Sequence, residues 1–144
     1  MKTEKIEIRG IPAVLYGEPC ENVWLFIHGK LGCKEEGEAF AAIACPSGVQ
    51  VLSVDLPEHG ARKEMRDAFN PWTVVPELQS VMAYLQMRWK KVSLRANSIG
   101  AFFSMRMATR YGPQGNYDSD LFCRNGQPIL LKSTVCSFIE ILPT

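Results

Sequence analysis

Only three residues, Ala96-Asn97-Ser98, separate a strand read over Lys91 to Arg95 from an apolar stretch with helical spacing, Ile99 to Thr109. A chain that turns from strand to helix so quickly brings the two backbones into close approach. Only small side chains fit beside such a turn, and Ala96 and Gly100 are the residues that stand there. The junction confines the chain to folds in which strands and helices alternate.

The residues before it supply that alternation. Lys5 to Arg9 and Ala13 to Tyr16 flank a Gly-Ile-Pro break and read as a short antiparallel pair. Val23 to Ile27 and Val49 to Val54 are unbroken apolar runs, as expected of strands covered on both faces. Between them Glu35 to Ala44 has acids in its first turn and apolar Ala39, Phe40 and Ile43 at helical spacing. A further helix starts at Asn70-Pro71, with Val74, Val75, Leu78, Val81, Met82 and Leu85 on one stripe, and Pro76 is expected to kink or restart it. Trp24, Trp72 and Trp89, like Met82, Met87, Met105 and Met107, read as packing residues. The order β-β-β-α-β-α-β-α predicts an α/β fold, doubly wound around a mainly parallel sheet with helices on both faces. His28, His59 and Ser98 fall at the carboxyl edge of that sheet, where ligands of such folds bind.

Length and charge remove other classes. With 144 residues the chain suits one domain, and a hydrophobic content of 47% provides a core. A net charge of +1 gives no broad field for nucleic acid or an anionic membrane, and no apolar run approaches a membrane span. The amino terminus lacks the apolar stretch of a signal peptide, and Cys20, Cys33, Cys45, Cys123 and Cys136 include no C-x-x-C pair. These features predict reduced thiols in a cytoplasmic protein without a metal site. No P-loop or dinucleotide fingerprint is present, so no cofactor is expected.

Ala96-Asn97-Ser98-Ile99-Gly100 matches a nucleophile elbow, G-x-S-x-G with alanine at the first glycine. His28-Gly29-Lys30-Leu31-Gly32 resembles the H-G-x-x-G loop after the third strand of the α/β-hydrolase superfamily, and Asp55-Leu56-Pro57-Glu58-His59-Gly60 the D-x-P-G-H-G turn after its fourth. The resemblance covers about residues 1–109 and implies a serine hydrolase acting on carboxylic esters, thioesters or amides. It assigns Ser98 as nucleophile and the main-chain amides of Ile99 and Lys30 as the oxyanion hole. It also gives His28 a bracing role in the loop, with His59 shaping a turn. The substrate would be a small acyl compound. Read without the resemblance, Ser98 would serve as the N-cap of the helix that follows it.

The departures from the family bear on activity. In the superfamily an acid and then a histidine follow the serine, whereas both histidines here precede Ser98. Asp118, Asp120 and Glu140 follow it without an imidazole. Only 46 residues remain after Ser98, too few for the rest of a hydrolase, given about 30 or more per strand-helix-strand unit. Residues 110–144 carry turn material and lose periodicity, and are expected to be a loosely packed tail of truncated or frame-shifted origin. The reading is an incomplete α/β-hydrolase fold with impaired hydrolase activity. The alternative is a non-catalytic α/β binding module on the same fold.

Overall fold

The computed structural model describes residues 1–107 and the backbone of 108, 110–111, 117–118, 129–134 and 138–143. Strands β1 (Thr3–Ile8) and β2 (Ile11–Tyr16) form the antiparallel pair, and β3 (Asn22–Ile27), α1 (Gly37–Ala44), β4 (Gln50–Val54), α2 (Pro71–Arg88), β5 (Lys91–Asn97) and α3 (Ile99–Ala108) follow in turn. Short β6 (Arg110–Tyr111) and β7 (Tyr117–Asp118) pair with each other, whereas β8 (Ile129–Thr134) and β9 (Phe138–Pro143) join the main sheet.

Seven strands order as β1-β2-β4-β3-β5-β9-β8. The centre, β4-β3-β5, is parallel, and antiparallel strands complete the sheet on both sides. Alternation along β3 explains the two layers. Val23, Leu25 and Ile27 enter the core beneath α2 and α3, whereas Phe26 joins Val51, Ala41 and Ala44 under α1. Helices therefore cover both faces; β3 and β4 are largely apolar on both sides, whereas β5 is apolar only on the face of Val92, Leu94 and Ala96.

Asn70 caps α2 by accepting from the Thr73 amide at 3.0 Å, with Pro71 at the first helical position. The helix runs unbroken through Pro76 rather than restarting. Pro76 is exposed, so water can reach the carbonyl its missing N–H leaves unbonded. Trp72 (84% exposed) and Met87 (78%) are not packing residues: each lies two positions from the buried stripe, about 200° around the helix. Met105 is likewise half exposed, while Met82, Met107 and Trp89 are buried as expected.

Among the described residues no helix is long and apolar enough to cross a membrane. The expected loose packing of the tail concerns side chains outside the described residues. Its backbone contributes β9, which pairs antiparallel with β5 from Leu94 to Asn97, and β8 beyond it.

Candidate active site

Ser98 occupies the turn between β5 and α3, exposed and with φ at +50°, a left-handed conformation that non-glycine residues rarely adopt. Its carbonyl accepts from the Ala101 and Phe102 amides at 2.9 and 3.3 Å, so α3 begins immediately after it. The first amides of a helix, Ile99 among them, have no partner within it and carry the positive end of the helix dipole.

Gly100 permits this junction. A Cβ there would stand 2.5 Å from the His28 carbonyl oxygen and 2.9 Å from Ile27 Cγ2, so the first turn of α3 presses directly on the end of β3. Ala96, fully buried, provides the small flank on the other side. Gly29 completes the approach: a Cβ on it would lie 3.4 Å from Ser98 Cβ. The structure thus brings the Gly29-Lys30 loop and Ser98 together.

Both histidines are committed to that loop. His28 Nε2 accepts from the Leu56 amide at 3.0 Å, so Nδ1 carries the proton and donates to the Gly29 carbonyl at 2.7 Å. His59 repeats the pattern, with Nε2 accepting from the Leu31 amide at 3.0 Å and Nδ1 donating to the Pro57 carbonyl at 2.8 Å. Burial pushes the pKa of His28 below its ordinary 6.5, and the bond to Gly29 opposes this only in part. With both ring nitrogens of each imidazole engaged by backbone, neither can take a proton from Ser98 without breaking a loop bond.

Asp55 anchors the same edge from beneath. Its carboxylate is buried and accepts from the Lys34 amide (2.8 Å), Lys34 Nζ (2.8 Å) and the Ala61 amide (2.9 Å). Gly60, at φ +55°, lies against it: a Cβ there would meet Asp55 Oδ1 at 2.1 Å. Arg62 donates to the Asp55 carbonyl and pairs with Glu77 of α2 through both carboxylate oxygens, at 2.8 and 2.6 Å.

The buried partner Lys34 was not legible, because nothing local marks a lysine as buried. Glu58 did leave a signal. It stands where the resembling turn has glycine, and it adopts φ +65°. Arg95, on β5, is half-buried with its guanidinium 4.6 Å from the centre of the Phe40 ring. Among the described residues no group of three or more His, Cys, Asp or Glu is placed to hold a metal ion.

The fold recurs in solved structures. The chain is similar to TT1662 from Thermus thermophilus, at 23% identity and a TM-score of 0.61, covering 72% of this chain and 49% of that one. It is similar to the thioesterase domain from the curacin biosynthetic pathway at 26% identity and a TM-score of 0.61, covering 75% and 41%. For epoxide hydrolase VrEH1 from Vigna radiata the values are 20% identity, a TM-score of 0.59, and 74% and 35%. All three have the α/β-hydrolase fold, and so does this chain, which spans half or less of the length of each. No family model and no curated protein matches it by sequence.

Proposed function

We propose that this chain is the amino-terminal portion of a serine hydrolase for carboxylic esters, thioesters or amides, with Ser98 as nucleophile. The observation that carries the reading is the strained, exposed Ser98 at the head of α3, with Gly29 against it. Ser98 Oγ attacks the acyl carbonyl. Carbon–oxygen bond formation moves the π electrons onto the carbonyl oxygen, and the amides of Ile99 and Lys30 donate to that oxyanion. The oxyanion then collapses, the bond to the alcohol, thiol or amine breaks and that group takes a proton from water; a second water attacks the acyl-Ser98 ester, releasing the acid and restoring the serine hydroxyl.

The proton of Ser98 has no receiving imidazole in this sequence: His28 and His59 face the backbone, and no histidine follows Ser98. Water takes the proton instead, and the rate is low. Oxyanion donors without a full triad still leave roughly 10³–10⁴-fold over the uncatalysed reaction. The same engagement of both histidines favours a second reading, a binding module that keeps the fold without turnover.

Turnover of a p-nitrophenyl ester is expected barely above background and equal in Ser98→Ala, because the residual rate from the oxyanion donors does not need the serine. Mass-spectrometric mapping after incubation with that ester separates the two readings. The nucleophile reading expects an acyl group on Ser98, and its absence supports the binding module.

A further inference from the structure

At the end of the sheet opposite Ser98 the structure has a cavity of about 530 Å³. It opens at the amino ends of β3 and β4, between the turn that joins β2 to β3 and the carboxyl end of α1. Gly17 brings these two segments together. A Cβ on it would stand 2.9 Å from Cys45 Sγ and 3.0 Å from the Val49 carbonyl oxygen.

The polar groups around the cavity bond to one another. The Gly17 amide donates to the Lys2 carbonyl at 2.9 Å, and the Gly17 carbonyl accepts from Gln50 Nε2 at 3.3 Å. The Gly48 amide donates to the Cys45 carbonyl at 3.0 Å, and the Cys20 thiol donates to the Asn22 carbonyl at 3.0 Å. What remains for a ligand is mostly carbon, from Pro19, Ala42, Pro46 and Val49, together with Cys20 and Cys45. Burial raises the pKa of the Cys45 thiol, which is therefore uncharged at neutral pH. Lys2 and Glu18 are the charged side chains of the lining, both exposed, and their opposite signs leave it without net charge.

Size and surface then limit the ligand. An apolar cavity of about 150 Å³ holds one benzene, so this one has room for roughly two or three rings. Sulfur is polarisable and packs favourably against the edges of aromatic rings. Proline rings pack against aromatic faces, as they do where proline-rich segments dock in aromatic-lined grooves, and Pro19 and Pro46 are both exposed in the lining.

We infer that this cavity is a second binding site, for an uncharged aromatic molecule of two or three rings, held between Pro19 and Cys20 of the turn and Ala42, Cys45 and Pro46 at the end of α1. An anionic ligand would lose hydration against this neutral lining without a net charge to compensate it. The site stands on its own residues and does not depend on Ser98 as nucleophile.

Phenylnaphthylamine, whose fluorescence rises on leaving water, is the probe, and its sulfonated analogue anilinonaphthalene sulfonate is the control. Titration of the full chain should show saturable one-to-one binding of phenylnaphthylamine, at least about tenfold tighter than that of the sulfonate. Alkylation with iodoacetamide followed by peptide mapping reads where the probe lies. With the probe at about ten times its Kd, Cys20 and Cys45 should react about tenfold more slowly. Cys33, in the loop after β3 at the carboxyl edge, should react at an unchanged rate. Ala42→Glu, at an exposed position of α1, should abolish probe binding while its urea midpoint stays near that of the parent, and Ser98→Ala should bind as the parent does.

Absence of saturable phenylnaphthylamine binding overturns the site, and so does binding that survives Ala42→Glu. Equal binding of the sulfonate overturns the uncharged ligand class. Protection of Cys33 in place of Cys20 and Cys45, or loss of binding in Ser98→Ala, would put the probe at the carboxyl edge and overturn the location.

Discussion

For His28 the loop motif implies a bracing role without naming the atoms it braces. The residue stands in a loop motif, and its neighbours in the chain are silent on what its nitrogens touch. The choice depends on Leu56, twenty-eight positions away, whose amide occupies Nε2 at 3.0 Å. A buried neutral imidazole also makes a definite contribution to stability. The unfolded chain takes up a proton at His28 near pH 6.5, which the folded chain refuses because burial lowers the pKa. Below that pH the unfolded state binds more protons, so this contribution is present above about pH 6.5 and is lost as pH falls toward the depressed folded value. Urea unfolding should show a midpoint that drops between pH 7.5 and 5.5. His28→Gln should lower stability throughout but flatten the drop, and an equally steep drop in the variant would contradict the buried neutral imidazole.

At the scale of elements, most of what positions Ser98 was legible, and the reason is chemical. The two-residue alternation along β3 and the apolar stripe on α2 are direct consequences of burial, and both strands and helices followed the predicted order. Errors gathered where periodicity has no say. Trp72 and Met87 look like packing residues by type and are exposed by position. The mixed sheet edge at β9 depends on a pairing that composition does not encode.

Gly100 gives the sharpest test of the element packing, because two effects oppose each other there. In an ordinary exposed helix, replacing glycine by alanine stabilises by about 1 kcal/mol. At Gly100 the added methyl would sit 2.5 Å from a backbone oxygen that cannot move without displacing the His28-Gly29 loop. Overpacking of this kind costs about 1–3 kcal/mol and wins. Gly100→Ala should therefore unfold at lower urea than the parent, and a stabilised variant would show that α3 does not press on β3.

For the whole molecule, the described carboxyl edge brings together Ser98, the loop that carries Lys30, and the Asp55 anchor, while no histidine follows Ser98 in this sequence. A separate cavity of about 530 Å³, lined in part by Gly17, Cys20, Cys45 and Val49, opens at the amino ends of β3 and β4, away from Ser98. Burial pushes the Cys45 thiol up, so that thiol stays protonated at neutral pH. The chemistry we assign therefore depends on the carboxyl edge alone. Three motifs in one order made that edge legible. What they left unread was which backbone groups hold each imidazole, because Gly29, Leu56, Leu31 and Pro57 are brought to the rings only by the fold.

The most direct measurement is the rate of fluorophosphonate labelling between pH 6 and 10, with the adduct mapped by mass spectrometry. A serine without an imidazole base ionises far above this range, so labelling at Ser98 should be slow and rise about tenfold per pH unit without a plateau. No adduct at Ser98 at any pH would contradict the nucleophile. A plateau with a midpoint near pH 6–7, lost on substitution of His28 or His59, would contradict the claim that neither histidine serves as its base.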